Sequence, residues 1–173
     1  IALDDVRVPA DALLGTTSIG LAALARVIER ATLCVCAEAV GAMDALLYRT
    51  VEYTKTRKQF GVAIASFQVL QHRNVEMLIA SEQAKSMAML ATMMVVETDA
   101  VFRRKTMAAA KTQIGRSAQF VGEQAIQLHG GIGMTMEYKG GHYFKRLTMI
   151  DLMYGGADHH LRELAKAGGL LAA

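Results

Sequence analysis

Proline, cysteine and tryptophan are scarce in this chain of 173 residues, which contains one proline, two cysteines and no tryptophan. The segment from about residue 18 to residue 55 has no proline, so nothing in it interrupts a long helix. No apolar run reaches the length of about 20 residues that a membrane-spanning helix needs, and no signal peptide is visible. We therefore expect no membrane span.

Long runs of like charge are also missing. The net charge is +3 and no five neighbouring residues share one sign, which argues against nucleic-acid binding. Cys34 and Cys36 lie two residues apart on a predicted helix, so they point in different directions and do not readily form a disulfide. We expect buried thiols in a reducing compartment, the cytoplasm. The five histidines lack metal-ligand spacing with cysteines or carboxylates, so no metal site is expected.

Apolar residues make up 53% of the chain and recur at helical spacing. This periodicity predicts a first helix over about 18–55 and a second that Ser66 caps and that runs to about 97. A third helix is predicted over about 98–129, with Asp99 at its start. Small residues on one stripe of that helix predict close contact with its neighbours: Gly115, Ala118, Gly122 and Ala125.

The remaining segments are shorter and punctuated by glycine. Val6-Arg7-Val8-Pro9 is typical of the end of a strand. A helical segment is predicted over about 143–153, then a break at Gly155-Gly156 and a last helix over about 157–166. Three long helices and a broken fourth predict an all-α fold, an antiparallel four-helix bundle. Eleven methionines fit the packing of such a core.

Two short motifs about seventy residues apart hold most of the functional information. Arg57-Lys58-Gln59-Phe60-Gly61 follows the first helix, and Gln127-Leu128-His129-Gly130-Gly131-Ile132-Gly133 ends the third. Each places glycines and hydrogen-bonding side chains at a helix end, where backbone N–H groups and a cation can meet a phosphate. Taken singly, the arginine could be a helix-end cation, the phenylalanines core residues and the glycine pair a helix cap. Together they favour contact with a cofactor.

With these motifs placed, the chain resembles the C-terminal helical domain of the acyl-coenzyme A dehydrogenases over nearly all of its length. Val51-Glu52-Tyr53, the first motif and Phe67-Gln68 resemble the stretch that joins the first two bundle helices of that family. The second motif resembles its second flavin motif, and Tyr154-Gly155-Gly156 lies where the family has a Tyr-Glu-Gly-Thr loop. The resemblance implies that residues 1–15 are the tail of a preceding β-domain with its linker and that 16–173 are the bundle domain. Because the chain begins with isoleucine, we expect it to be a piece of a longer protein.

The chemistry implied by the resemblance is dehydrogenation of an acyl-CoA thioester with FAD as the cofactor. A carboxylate takes a proton from Cα and a hydride leaves Cβ for the flavin, which gives the trans-2-enoyl thioester. Arg57 would reach the pyrophosphate of a neighbouring subunit's FAD as a forked donor, so at least a dimer is implied. An electron-transfer flavoprotein or a similar acceptor would take the electrons. The implied cofactor-binding residues are Arg57, Gln59, Phe60, Phe67, Gln68, Gln127, Gly130, Gly131 and His159.

The chain departs from the family at the catalytic base. The usual glutamate position falls on Gly155, and the alternative position on the first helix falls on Ala31. Glu29 and Asp158 are other candidates. However, a shift of two residues turns a side chain by roughly 200° around a helix, and Asp158 fits a solvated carboxylate at a helix start. The catalytic residue is therefore unknown.

Three hypotheses follow from this combination. The preferred one is a subunit of a heteromeric acyl-CoA dehydrogenase, a dimer or tetramer in which a homologous partner supplies the glutamate. Such subunits act on dicarboxylyl or bulky ring-bearing thioesters in related enzymes. The second is a homomeric dehydrogenase with an atypical base. The third is a helical scaffold subunit without chemistry, against which the two intact motifs argue.

Overall fold

The computed structural model describes residues 2–16 and 18–169, and helices dominate it. The helices are α1 (Gly20–Thr56), α2 (Gln68–Met94), α3 (Ala100–His129), α4 (Lys139–Leu152) and α5 (Ala157–Lys166). A two-stranded antiparallel hairpin, β1 (Lys58–Gln59) and β2 (Val62–Ala63), joins α1 to α2. The predicted all-α bundle is thereby confirmed, and its broken fourth helix is the pair α4 and α5.

Helix α3 is the centre of the bundle, because it packs against all four other helices. Its stripe of small residues is buried as predicted. A Cβ added to Gly122 would lie 2.6 Å from Cδ2 of Phe144 on α4, so a larger residue at this position would have to displace the Phe144 ring from its packing between the two helices. Large apolar side chains of the neighbouring helices, among them Met43, Leu46 and Met77, fill the core around this stripe.

Helix boundaries test the predicted caps. The Asp99 carboxylate accepts hydrogen bonds from the N–H groups of Val101 and Phe102 at 2.8 and 3.2 Å, as expected of an N-cap. The Ser66 cap is wrong, because α2 begins after Phe67 and the Ser66 hydroxyl donates to the Ala63 carbonyl at 2.7 Å. The first helix begins at residue 20, the fourth begins four residues earlier than predicted, at 139, and the last spans 157–166 as predicted.

Two local predictions from the N-terminal part of the chain need correction. Within the described residues, the segment Val6-Arg7-Val8-Pro9 forms no strand, because no neighbouring strand is there to pair with it. Both cysteines are free, as predicted, but Cys34 is exposed and only Cys36 is buried. Burial raises the pKa of the Cys36 thiol to about 11, so it stays protonated at neutral pH. Ile1, Thr17 and the predicted end of the bundle domain after residue 169 lie outside the described residues.

Helix α1 is long and apolar enough to cross a membrane by length and composition, which the sequence analysis did not anticipate. A core helix of a bundle meets the same criterion. Here the second half of α1 packs against α2, α3 and α4, and its Thr50 is buried with the hydroxyl bonded to the Leu46 carbonyl at 2.8 Å. These contacts are those of a core helix.

Candidate functional site

The hairpin between α1 and α2 closes one end of the bundle and presents the first motif. Arg57 ends α1, and its N–H donates to the Tyr53 carbonyl at 2.8 Å. The Arg57 carbonyl in turn accepts the N–H of Ile64 at 2.8 Å, which closes the hairpin. The turn places Phe60 and Gly61 at φ values of 53° and 80°. A phenylalanine at positive φ is uncommon and marks a position that the surrounding structure enforces.

The aromatic residues of this hairpin face solvent. Phe60 is 90% exposed, and its ring meets that of Phe67 edge to face with the centroids 6.1 Å apart. A core role is therefore excluded for Phe60. Burying a ring of this size in an apolar environment contributes roughly 1.5–3 kcal/mol of favourable free energy. The exposed pair is therefore an apolar surface suited to contact with a ligand or a partner.

Polar side chains share this end of the bundle. The exposed Arg57 guanidinium makes no side-chain hydrogen bond or ion pair with the residues that the structure describes. Gln59 donates only to the carbonyl of its neighbour Lys58, at 2.8 Å, and Gln68 is the first residue of α2. The predicted residues of the first motif are thus brought together, with the Arg57 guanidinium available to meet an anion.

The second motif ends α3 and continues into a 3-10 turn, Gly130–Met134. Gly130 has a φ of 60° and a ψ of −138°, and its N–H donates to the Gln127 carbonyl. A Cβ on Gly130 or on Gly131 would meet no other atom within 4 Å. The backbone therefore borders open space, into which the atoms of a cofactor could approach without meeting a side chain.

An aromatic cluster joins the two motifs. The His129 imidazole stacks on Tyr53 with the ring centroids 4.4 Å apart and packs against Tyr138 with the centroids 4.2 Å apart. Its Nδ1 lies 2.7 Å from the Ala125 carbonyl, and its Nε2 is hydrogen-bonded to the Tyr138 hydroxyl. Since a carbonyl only accepts, Nδ1 carries the hydrogen and Nε2 accepts from the tyrosine. The Tyr53 hydroxyl also donates to the His129 carbonyl, at 3.4 Å.

Burial controls the protonation of this cluster. It lowers the pKa of His129, and the hydrogen bond to the Ala125 carbonyl opposes the shift. Burial raises the pKa of Tyr138, so its hydroxyl stays protonated and can donate. As the pH falls below about 6.5, the unfolded chain takes up a proton on this histidine before the folded chain does. Acidification through that range therefore reduces the stability of the fold.

His159 lies far from the other predicted cofactor residues. It stands on α5 and lines a cavity with Ala108 of α3, whereas Gln127 lies 19 residues farther along α3 (127 − 108). At about 1.5 Å per residue this is a separation of roughly 29 Å along the helix axis. The predicted residues therefore form two groups, which would contact different cofactor molecules or opposite ends of an extended one.

The loop between α4 and α5 is fixed by a buried lysine. Lys111 on α3 is 1% exposed, and its Nζ donates to the carbonyls of Ile150 and Asp151, both at 2.8 Å. These carbonyls belong to the last turn of α4, where they lack partners within the helix. The Asp151 carboxylate accepts the N–H of Ala157 at 3.1 Å, at the start of α5. Both helix ends that flank residues 154–156 are thus held in place.

Gly155 lies in this loop at a φ of 96°. The three atoms nearest to a Cβ built at this position all belong to the His159 ring, the closest being Cδ2 at 2.5 Å. The imidazole therefore takes the space that a side chain at position 155 would need. Ala31, the alternative position, is half-buried on α1 and carries no titratable group. Neither usual position supplies a base.

The two alternative candidates for the base, Glu29 and Asp158, have different surroundings. Oε2 of Glu29 accepts from Nε of Arg103 at 2.7 Å and from Nη1 of Arg26 at 3.0 Å. Asp158 is exposed in the first turn of α5. One carboxylate is therefore committed to two guanidinium groups and the other faces water. Within residues 2–16 and 18–169, no three His, Cys, Asp or Glu side chains converge to hold a metal ion.

A cavity of about 500 Å³ lies between α1, α3 and α5. Its wall is apolar at Ile28, Val101 and Met107, and it is polar where Lys105 and His159 border it. This volume and mixed lining are typical of small-molecule sites. His159 thus lies between the empty position at Gly155 and this cavity.

Replacing Gly155 by alanine should lower the free energy of unfolding by about 1–3 kcal/mol. The new Cβ is strained at this φ and meets the His159 ring. Gly41→Ala is the matched control, because a Cβ on Gly41, in the middle of α1, meets no atom within 4 Å; it should raise stability by about 0.5–1 kcal/mol. Urea unfolding followed by circular dichroism measures both, and equal stabilities would contradict the loop geometry.

The motif residues are recognisable from the sequence, whereas the residues that hold the motifs and the loop in place are not. Lys111, Asp151 and Tyr138 were not singled out, because their partners lie 9 to 40 residues away. The available signal for Lys111 was a lysine between Ala110 and Ile114 on an otherwise apolar stripe of α3. A charge at such a position needs a buried partner.

Known proteins with similar sequences include members of the acyl-CoA dehydrogenase family. The family model described as "Acyl-CoA dehydrogenase, C-terminal domain" matches residues 19–169. The chain is 36% identical over 138 residues to the probable acyl-CoA dehydrogenase YngJ of Bacillus subtilis, an alignment that covers 80% of this chain and 36% of that protein.

Solved structures share the fold. PigA with FAD and proline superposes with a TM-score of 0.87 at 28% identity, covering 96% of this chain and 43% of that chain. A variant of the Tcur3481-Tcur3483 steroid ACAD superposes with a TM-score of 0.75 at 28% identity, covering 80% of this chain and 38% of that chain. The chain thus spans 36–43% of the length of these three proteins.

Proposed function

Because this chain belongs to the acyl-CoA dehydrogenase family, whose C-terminal domain it contains and whose cofactor is FAD, we propose that it is the bundle domain of a dehydrogenase subunit whose homologous partner supplies the catalytic glutamate. The reaction is the α,β-dehydrogenation of an acyl-CoA thioester to the trans-2-enoyl-CoA. The observation that carries the proposal is the combination of an intact cofactor end with a missing base, since Gly155 and Ala31 have no carboxylate.

The residues at the cofactor end fit FAD. A flavin dinucleotide needs a cation for its pyrophosphate, an apolar surface for its rings and close backbone approach. The exposed Arg57 guanidinium, the Phe60–Phe67 pair and the open space beside Gly130 provide these three features. When bound, FAD accepts the hydride from the substrate. This chain's own residues bind and orient the cofactor, with Gln59, Gln68 and Gln127 as hydrogen-bonding partners.

A partner subunit is the simplest source of the base. The chain resembles a steroid ACAD whose name, Tcur3481-Tcur3483, joins two designations, and this supports an assembly of two different chains. We propose a dimer or tetramer in which the Arg57 end of this chain contacts the FAD of a neighbouring subunit. We further propose the cytoplasm as its location, and an electron-transfer flavoprotein or a similar protein as the electron acceptor.

One observation favours a second candidate, a homomeric dehydrogenase with an atypical base. The His159 imidazole lies against Gly155, where the family has its glutamate. A neutral imidazole can accept a proton, and general bases contribute about 10²–10⁴-fold to a rate. Glu29 is less suited to this role because two arginines already bind its carboxylate.

His159→Gln separates the two candidates in the intact, active protein. Glutamine is the residue that the family often has at this position, so the exchange keeps a hydrogen-bonding partner for the flavin while it removes the base. We expect turnover to change less than about threefold if the partner supplies the glutamate. A loss of about 100-fold or more would instead identify His159 as the base. His142→Gln, at an exposed histidine on α4, is the control.

The scaffold alternative is tested by the colour of the protein. The intact protein, purified without added cofactor, should show the absorption bands of bound flavin. A colourless protein that takes up no added FAD would favour a helical scaffold over both dehydrogenase hypotheses.

A further inference from the structure

We infer that Tyr53, His129 and Tyr138 form a positioning unit that holds the two cofactor motifs in one fixed arrangement. The inference rests on the proposed role of this end of the bundle in binding FAD. None of the three side chains needs to touch the cofactor. They act through Arg57 and through the backbone of Gly130 and Gly131.

The unit is connected to both motifs through the backbone. The Tyr53 carbonyl accepts the N–H of Arg57 at 2.8 Å, so the last turn of α1 ties the tyrosine to the arginine. His129 is the residue immediately before Gly130, and its own carbonyl accepts the Tyr53 hydroxyl. A movement of His129 relative to Tyr53 therefore shifts the backbone of Gly130 relative to the backbone of Arg57.

Hydrogen bonds at both ring nitrogens fix the orientation of His129. Nδ1–H donates to the Ala125 carbonyl, and Nε2 accepts from the Tyr138 hydroxyl. With both nitrogens bonded and tyrosine rings packed against the imidazole, the ring has one favourable orientation and one tautomer. An apolar residue of similar size could fill the same volume, but it would give up both bonds. These two hydrogen bonds explain why a histidine that is only 3% exposed is tolerated at the end of α3.

Burial favours the neutral form of the imidazole, and the hydrogen bond to the Ala125 carbonyl opposes this effect. Tyr53 and Arg49 approach the cluster from α1, and Tyr138 approaches from the segment before α4. Protonation of Nε2 would force the Tyr138 hydroxyl to turn its hydrogen away and accept instead. Acidification should therefore loosen the unit.

The test is FAD affinity in the intact protein, measured by titration of the cofactor-free form with FAD. Tyr138→Phe keeps the packed ring and removes the hydroxyl, so we expect the Kd for FAD to rise roughly five- to tenfold, as the loss of about one buried hydrogen bond implies. Tyr53→Phe removes only a long bond and should raise the Kd less than about threefold. Tyr48→Phe is the matched control, because Tyr48 also lies on α1 and is 69% exposed; its Kd should not change.

Two further readouts separate positioning from simple loss of structure. Helix content by circular dichroism should be the same in all three variants. Nitrogen-15 NMR of labelled histidine should show His129 with its hydrogen on Nδ1. The FAD affinity of the unaltered protein should weaken only when the pH falls through the pKa of His129 in the folded chain, which burial holds below its ordinary value of about 6.5.

The outcomes distinguish the inference from the function on which it rests. If the unaltered protein binds FAD and Tyr138→Phe binds it equally tightly, the positioning unit is refuted while the proposed function stands. A hydrogen on Nε2 of His129 would refute it as well. If the unaltered protein binds no FAD at all, both the proposed function and the inference that rests on it are refuted.

Discussion

Replacing Lys111 by alanine should lower the free energy of unfolding by about 3–5 kcal/mol, because it leaves an unfilled space and unpaired polar groups in the core. The Nζ atom is the hydrogen-bond donor to the carbonyls of Ile150 and Asp151. Without it those carbonyls are buried at the end of α4 with no partner, and each such group costs about 1–3 kcal/mol. Burial lowers the pKa of Lys111, and the nearby Asp151 carboxylate opposes that shift. The alanine variant therefore also leaves this carboxylate without its neighbouring cation.

The size of this effect is measured by guanidinium unfolding of the alanine variant and two controls. Lys111→Met keeps most of the volume and should cost less, about 1–3 kcal/mol. Lys85→Ala removes a partly exposed lysine of α2 that makes only surface ion pairs and should change stability by less than about 1 kcal/mol. A loss below about 1 kcal/mol for Lys111→Ala would show that the lysine does not hold the end of α4.

Replacing Arg57 by alanine should raise the Kd for FAD by about 10- to 100-fold in the intact protein. A guanidinium that forks onto a phosphate makes two charge-assisted hydrogen bonds, each stronger than a neutral one. Arg57 is exposed and makes no side-chain bond with the described residues, so its removal should leave the fold unchanged.

Lysine and alanine exchanges at neighbouring positions make this prediction specific. Arg57→Lys keeps the charge but not the fork, so its Kd should lie between those of the unaltered protein and the alanine variant. Lys58→Ala removes a cation from the same hairpin and should change the Kd less than about threefold. Equal losses from Arg57→Ala and Lys58→Ala would mean that only the total charge of the hairpin matters.

Local sequence signals predicted the helices well. The apolar spacing located α1, α2 and α3, and the capping carboxylate of Asp99 located the start of α3. These features depend on residues within a few positions of one another. The strand predicted at Val6–Pro9 failed for the opposite reason, because a strand needs a distant partner that no local pattern reveals. Ser66 failed because the chain makes a 3-10 turn before α2 begins.

The candidate site likewise contains residues that local motifs reveal and contacts between distant residues that they do not. The motifs identified Arg57, Phe60, Gly130 and their neighbours by residue type and spacing. The contacts that arrange them join α1, α3 and the residue before α4, so Tyr53, His129 and Tyr138 could be recognised as one cluster only in three dimensions. The missing base was visible in the sequence as a glycine. The sequence did not reveal that the His159 ring fills the space at position 155, because it does not show which side chain turns back over the loop.

The central claim is that this chain holds a flavin but depends on a homologous partner for the catalytic glutamate. Native mass spectrometry of the intact protein, purified from the cells that make it, tests this most directly. We expect an assembly with FAD bound that contains this chain together with a second, related polypeptide. A catalytically active assembly built only from copies of this chain would contradict it.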